Sequence, residues 1–143
     1  TIEQIKADTR AKINSSVFGV TKGFLPFFTI SAIERKGMVV VSDFLEAKKI
    51  VNEINKIESG RAIYLPFRSE TLLYNVISLD NEYERINTLL DFSLSDNKIL
   101  VTSIEALTQR YTKKEELLKR IITIDKSKDI SIEKIIKLFI SSL

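Results

Sequence analysis

Short apolar runs alternate along this chain with segments whose apolar residues recur at helical spacing. Residues 38–41, 62–65 and 98–101 are predicted to form strands, and residues 17–20 form a fourth run of similar composition. Helical segments separate these runs, and no Asn-Gly or similar hairpin signal joins one strand directly to the next. Parallel strands require long crossover connections of this kind. The alternation therefore predicts an α/β fold with a parallel sheet and helices on both faces.

The helices carry their own start and stop signals. Asp43 and Glu46 form a capping box before a long helix, and Gly60 is placed to end it in the left-handed conformation. Pro26 fits only in the first turn of the preceding helix, predicted over residues 22–36. The other predicted elements are a first helix over residues 2–14, a helix capped by Asp80, short helices opened by Thr102–Glu105 and Thr112–Glu115 boxes, a strand-forming run at 120–124 and a last helix after Ser131.

Apolar spacing predicts which residues are buried. Residues 38–41 are continuously apolar, which is typical of a strand covered on both faces. Residues 67–79 show no clean period and are predicted to form a structured loop. The predicted inward faces are Phe44, Ala47, Ile50, Val51, Ile54 and Ile57 on the helix after Asp43, and Tyr83, Ile86, Leu89 and Leu90 on the helix after Asp80.

The composition excludes several classes of site. A length of 143 residues suits one compact domain with room for part of a second. No cysteine is present, so disulfides and thiolate metal sites are excluded, and no histidine is present to act as a general base or zinc ligand. No apolar run approaches the ~18 residues of a membrane-spanning helix. The chain begins at Thr1 rather than Met, and we expect it to be a piece of a longer protein.

The net charge of +3 raises the question of whether the chain binds nucleic acid. Residues 1–60 carry nine Lys/Arg against seven Asp/Glu, residues 61–109 carry four against seven, and residues 110–143 carry nine against five. The basic residues are spread along helices as pairs such as Lys48–Lys49 and Lys113–Lys114. Nucleic-acid modules usually show a denser basic stripe, so solvated helix faces are the favoured interpretation.

The segment over residues 17–33 has the outline of a phosphate-binding loop: an apolar run, a glycine turn and a helix. A working loop reads G-x-x-x-x-G-K-[ST], in which lysine reaches the outer phosphates and the hydroxyl binds magnesium. Counted from Gly19, the three required positions hold Phe24, Leu25 and Pro26, while Lys22 and Gly23 lie at the wrong offsets. We therefore expect a degenerate loop that does not hydrolyse nucleotide.

Two carboxylates follow apolar runs in the way that a metal-binding residue would. Asp43 follows residues 39–41, and Asp125 follows residues 121–124. A helix cap explains Asp43 better, and no nucleophile, base and oxyanion donor come together anywhere in the sequence. The sequence predicts no active site, no metal and no cofactor.

Three segments resemble the N-terminal region of the bacterial transcription-repair coupling factors, the Mfd family. Residues 70–75 read E-T-L-L-Y-N, where the family has E-T-L-P-Y-D; Leu73 and Asn75 are the departures. Residues 84–90 carry an arginine-led helix, and residues 99–110 read I-L-V-T-S-I-E-A-L-T-Q-R against a family pattern ending A-L-x-Q-R. Gly19-Val20-Thr21 is similar to the start of the phosphate loop of UvrB. The matched motif positions are Glu70, Thr71, Leu72, Tyr74, Arg85, Ala106, Leu107, Gln109 and Arg110.

The resemblance implies a P-loop-NTPase-like, UvrB-like α/β domain over residues 1–119 that has lost nucleotide hydrolysis. Residues 120–143 would be the truncated start of an inserted UvrA-binding domain. In such a protein, downstream domains bind ATP, RNA polymerase and DNA, displace stalled polymerase at lesions and support nucleotide excision repair in the cytoplasm. The UvrA surface would lie mostly beyond residue 143, and the uncovered apolar helix could self-associate. Candidate partner-facing residues are Arg120, Ile132, Ile136, Phe139 and Ile140.

Two other functions stay open on the sequence. The loop could still bind nucleotide through Lys22 and the backbone donors of Gly23 and Phe24, as in an enzyme of the UvrB or helicase type. Alternatively, the basic segment over residues 110–143 could make the chain a weak DNA-binding module, whose affinity would fall steeply with salt.

Overall fold

A computed structural model of the chain describes residues 2–11, 13–68, 79–119, 132, 133 and 136. In chain order, its elements are α1 (Ile2–Arg10), α2 (Leu25–Ala32), β1 (Gly37–Val41), α3 (Phe44–Ile57), β2 (Ala62–Leu65), α4 (Leu79–Leu94), β3 (Ile99–Ser103), α5 (Ile104–Leu107) and α6 (Lys114–Lys119).

The three strands form one parallel sheet in the order β1-β3-β2. Gly37 lies opposite Ile99 and Val41 opposite Ser103, while Ala62 and Leu65 pair with Ile99 and Thr102 from the other side. The chain therefore makes a helical crossover between consecutive strands, as the absence of hairpin signals indicates. The predicted α/β class with a parallel sheet flanked by helices is confirmed.

Helix α3 supplies the main packing surface against the sheet. Its residues Ala47, Ile50 and Ile54 are buried together with Ala62, Ile99 and Val101 of β2 and β3. The helix is fixed at its start by Asp43, whose side chain accepts a hydrogen bond from Glu46 N at 2.9 Å, and Gly60 has a φ of +70° after its end. The Asp43 cap is confirmed, whereas the Glu46 carboxylate accepts from the Ser42 hydroxyl. Gly60 is left-handed as predicted, but the C-cap of α3 is Glu58, in an extended conformation, and Gly60 lies in the turn closed by Arg61 N donating to Glu58 O at 3.1 Å.

The prediction that residues 38–41 are covered on both faces is wrong. Burial alternates along β1, with Met38 48% and Val40 39% exposed. On the same face, Leu65, Leu100 and Thr102 are buried, so the cover extends over β2 and β3 but not over the edge strand β1. Phe44 and Ile57 at the two ends of α3 are also exposed, contrary to prediction, because only the middle of the helix contacts the core.

Helix α4 presents a different face from the one its apolar residues predict. Tyr83 is 66% and Ile86 46% exposed, whereas Arg85 is only 5% exposed. Leu89 and Leu90 are half-buried. The helix begins at Leu79, so Asp80 lies inside it rather than capping it. The inward face is polar because Arg85 and Thr88 donate hydrogen bonds to backbone carbonyls at the end of β2.

Further boundaries differ from the sequence expectation, among them that of α1, which ends at Arg10 rather than at residue 14. Residues 17–20 form no strand, since they pair with no neighbouring strand, and α2 is shorter than the predicted 22–36. Pro26 does lie in the first turn of α2, as predicted. Ser103, not Thr102, caps α5 by accepting from Ala106 N, because the Thr102 hydroxyl donates instead to Leu65 O at 3.1 Å.

The chain divides into two compact units, Thr1–Gln109 and Arg110–Leu143. The first contains the sheet and helices α1 to α5, and the second contains α6. Among the described residues, no helix is both long enough and apolar enough to cross a membrane. The predicted domain boundary at residues 119/120 stays a prediction. The predicted strand at 120–124 and most of the predicted loop at 67–79 lie outside the described residues.

Candidate functional site

The segment predicted to be a degenerate phosphate loop is an irregular stretch followed by a tight turn. Gly19 has a φ of +82°, a conformation that favours glycine, and residues 22–24 turn into α2. Phe24 occupies the N-cap position of α2 and provides no side-chain cap. The exposed Lys22 and Gly23 lie in this turn.

Two backbone donors at the end of this turn are used within the turn itself. Phe24 N and Leu25 N both donate to Thr21 O, at 3.0 and 3.1 Å, and Pro26 has no N–H to offer. A phosphate loop works by aiming consecutive backbone N–H groups at the anion. Three consecutive positions at this helix start are therefore unable to contribute a free backbone donor.

A cleft of about 440 Å³ lies beside Lys22 and the start of α3. Asp43 and Glu46 line it, and the hydroxyl of Ser42 donates to Asp43 Oδ2 at 3.2 Å and to Glu46 Oε2 at 3.0 Å. The hydrogen bond from the Glu46 backbone N–H lowers the pKa of Asp43 from its usual 3.8. Burial opposes this effect, and the Ser42 hydroxyl adds to it. The Asp43 carboxylate therefore stays charged as a helix cap, the role that its sequence position favours.

Within the described part of the chain, no group of three or more Asp and Glu side chains is placed to hold a metal ion. Asp125, the second carboxylate that follows an apolar run, lies outside the described residues.

The most ordered polar arrangement lies where the chain leaves β2. Side chains from four other positions donate to consecutive backbone carbonyls here: Thr88 to Tyr64 O at 3.0 Å, Thr102 to Leu65 O at 3.1 Å, Arg85 to Pro66 O at 2.6 Å and Asn81 to Phe67 O at 2.9 Å. Gln109 continues the series by donating to Arg68 O at 2.9 Å and accepting from Arg68 N at 2.7 Å. We call this arrangement the carbonyl clamp.

Arg85 and Gln109 form the centre of the carbonyl clamp. The Arg85 guanidinium also donates to Gln109 Oε1 at 2.8 Å, so one buried arginine contacts both the Pro66 carbonyl and the glutamine that binds Arg68. Glu82 adds charge balance, with Oε1 3.1 Å from Arg68 Nε and 3.8 Å from Arg85 Nε. The clamp therefore holds the backbone of residues 64–68 by hydrogen bonds. The buried Glu82 Oε1 has no hydrogen-bond partner among the described residues and contributes through its charge.

The structure brings together only some of the residues singled out by the resemblance. Arg85 and Gln109, 24 positions apart, are in direct contact. Ala106 is fully buried in α5, whereas Leu107 and Arg110 are exposed. Glu70, Thr71, Leu72 and Tyr74 lie outside the described residues.

Of the candidate partner-facing residues, only two are described. Ile132 is 75% and Ile136 51% exposed, and both are helical. That they share one face of a helix stays a prediction, because the residues between them include positions outside the described part of the chain. Arg120, Phe139 and Ile140 lie outside the described residues.

The sequence did not single out Asn81 and Thr88 of the carbonyl clamp, and it assigned Thr102, the third of these members, to a capping box. Each is a common residue at a helix or strand position, and the partner in each case is a backbone carbonyl, which leaves no sequence signal. The raised pKa of Tyr64 was also not predicted from the sequence. Burial, aided by the negative charges of the nearby Glu84 and Glu105, raises the pKa of its phenol above the usual 10.0.

Comparison with known proteins gives no relative. No protein-family model, no curated protein and no solved structure matches this chain.

Proposed function

We propose that this chain is a non-catalytic interaction scaffold: a degenerate, UvrB-like α/β domain with P-loop-like ancestry, of the type found at the N-terminus of the transcription-repair coupling factors. In the whole protein, downstream domains would provide ATP-driven translocation on DNA and contact with RNA polymerase. This part would support the docking of UvrA during nucleotide excision repair.

The observation that carries the non-catalytic part of the proposal is the occupied turn before α2. Phe24 N and Leu25 N bind Thr21 O, and Pro26 has no N–H. This also weighs against the alternative in which Gly23 and Phe24 hold nucleotide phosphate, because the Phe24 donor would have to break an existing hydrogen bond first.

The carbonyl clamp supports the UvrB-like part of the proposal. The resemblance singles out an arginine on one helix and a Gln-Arg pair after a strand, and Arg85 and Gln109 meet at 2.8 Å. The backbone that they hold, residues 66–68, leads in sequence to the E-T-L-L-Y-N segment at 70–75. We infer that Arg85 and Gln109 fix the course of residues 66–68, which precede that segment in sequence.

Labelling the chain with ¹⁵N-glycine tests the non-catalytic part, because its four glycines include Gly19 and Gly23 beside the turn. Titration with magnesium-ATP is expected to leave both of these amide resonances in place. Saturable shifts of Gly19 and Gly23, abolished by Lys22→Ala, would establish a nucleotide-binding loop and overturn the proposal. The Lys22→Ala variant is informative because Lys22 is exposed, so its loss should not disturb folding.

A further inference from the structure

An open pocket of about 420 Å³ lies at the amino-terminal end of β1. The carbonyl clamp lies at the other end of the strands, where β2 ends. The pocket is lined by Lys6 and Arg10 of α1 and by residues 32–38, which connect α2 to β1. We call it the amino-edge pocket. Its volume falls within the ~300–1,000 Å³ usual for small-molecule sites.

The amino-edge pocket carries a large excess of positive charge. Four cations, Lys6, Arg10, Arg35 and Lys36, line it with one carboxylate, Glu34, a net of +3. Glu34 is bound by Arg10 through both oxygens, at 2.8 and 2.9 Å, and by Lys6 at 3.4 Å. The Arg10 hydrogen bonds dominate in lowering the pKa of Glu34, so this carboxylate stays charged near neutral pH.

The other two cations are not neutralised by a carboxylate in the described part of the chain. Lys36 Nζ lies 4.4 Å from the centroid of the Phe92 ring, a cation–π contact that leaves its charge in place. No ion pair or side-chain hydrogen bond holds the Arg35 guanidinium to a described residue. Arg35 and Lys36 are therefore available to an anion.

The backbone that carries these cations is held firmly. Arg61 is 9% exposed, and its guanidinium donates to Ile33 O and Arg35 O, each at 2.7 Å. Gly37 fits closely against the side chain of Ile33, the residue that follows α2, since a Cβ at this position would lie 2.6 Å from Ile33 Cγ2. The amino-edge pocket is therefore preformed, which lowers the entropic cost of binding.

From this arrangement we propose that the amino-edge pocket binds a phosphate group, with Arg35 and Lys36 as the primary contacts. Guanidinium groups match the oxygens of phosphate in a two-point geometry, and ammonium groups add point charge. The phosphate could belong to a free polyphosphate or nucleotide, or to the backbone of a nucleic acid. Glu34 limits the affinity because it occupies Lys6 and Arg10. This inference is independent of the proposed scaffold function.

The test uses the same ¹⁵N-glycine-labelled chain, now titrated with inorganic tripolyphosphate and, separately, with a short oligothymidylate at low salt. The Gly37 amide is expected to shift in a saturable way, and the Gly23 amide is expected to stay in place. Binding of tripolyphosphate alone indicates a free phosphate ligand. Binding of both indicates a site that accepts a nucleic-acid backbone.

Charge variants assign the binding to named residues. Arg35→Gln/Lys36→Gln should weaken affinity about tenfold or more, because two charge-assisted contacts are lost. Lys113→Gln/Lys114→Gln is the matched control, with the same charge change in the basic C-terminal segment, and should leave the affinity unchanged. Glu34→Gln should tighten binding by freeing Lys6 and Arg10.

Several outcomes would overturn the proposal. These are no shift of Gly37 with either phosphate probe, an equal loss of affinity in the two double variants, or binding of an oligoglutamate peptide without binding of phosphate.

In the oligothymidylate arm, removing two phosphate contacts should also reduce the slope of log affinity against log salt by about 1.4. An unchanged slope would exclude Arg35 and Lys36 as backbone contacts.

Discussion

At the scale of a residue, Arg85 is a buried charge with a structural role. A buried arginine is tolerated only where its donors are satisfied, and here they contact Pro66 O and Gln109 Oε1, with Glu82 nearby. The alternative, an apolar side chain, would leave the Pro66 carbonyl without this hydrogen bond. The guanidinium therefore acts as a structural link between α4, the end of β2 and the segment after α5.

Replacing this arginine should cost stability. Arg85→Met keeps much of the side-chain volume but removes the hydrogen bonds to Pro66 O and Gln109, and we expect a loss of about 1.5–3 kcal/mol in the free energy of unfolding. Urea denaturation measures it, with the exposed Arg110→Met as control, expected within about 0.5 kcal/mol of the parent chain. A double-mutant cycle with Gln109→Leu should give a coupling of at least about 0.5 kcal/mol. Strict additivity would contradict the carbonyl clamp.

Asp43 makes a pH-dependent contribution that can be isolated. Its pKa is lowered in the folded chain, chiefly by the Glu46 N–H, so it stabilises the fold above its unfolded pKa, and that stabilisation is lost as pH falls through the folded pKa. Asn also caps helices but does not titrate. The melting temperature of Asp43→Asn should therefore fall less steeply than that of the parent chain between about pH 5 and pH 2. Identical slopes would show that Asp43 is not the titrating cap.

At the scale of elements, α3 holds the sheet together. Ile54 is fully buried at its centre, and Leu45 on the same helix is 66% exposed. We expect Ile54→Ala to destabilise the chain by about 2–5 kcal/mol, because the lost apolar burial is accompanied by a cavity. Leu45→Ala serves as the control and should change stability by less than about 0.5 kcal/mol. Similar losses at both positions, measured by chemical denaturation, would contradict the assigned packing face.

The sequence predicted elements well where local signals determine them. These signals all depend on neighbours in sequence: the Asp43 cap of α3, the left-handed Gly60, Pro26 and the runs that became β1, β2 and β3. The prediction failed where contacts with residues distant in sequence determine the structure. Residues 17–20 have strand composition but pair with no strand, and β1 is exposed on one face because the cover on that face reaches β2 and β3 but not β1.

Some features of the candidate site could likewise be predicted from the sequence, and others depend on the fold. The missing glycine, lysine and hydroxyl of a phosphate loop can be read from the sequence, whereas the occupation of Phe24 N and Leu25 N by Thr21 O cannot. Arg85 and Gln109 were singled out by resemblance alone. That they meet depends on the packing of α4 and on the strand order, which no local pattern encodes.

At the scale of the whole molecule, the two edges of the sheet differ in how their charges are used. At the carboxyl edge, the polar groups of the carbonyl clamp are paired with one another. At the amino edge, four cations surround one carboxylate. Ligands of open α/β sheets usually bind at the carboxyl edge. In this chain the hydrogen-bonded groups of the carbonyl clamp lie at the carboxyl ends of the strands, and the excess of positive charge lies at the amino end of β1.

The proposed scaffold function is tested most directly by titrating this chain against UvrA. We predict weak, saturable binding, since most of the UvrA surface is proposed to lie beyond residue 143. Ile132→Asp/Ile136→Asp should abolish this binding, while Leu45→Asp/Leu94→Asp, which charges two exposed positions of the first unit, should preserve it. Absence of binding at the highest soluble concentration, or equal effects of the two double variants, would contradict the account.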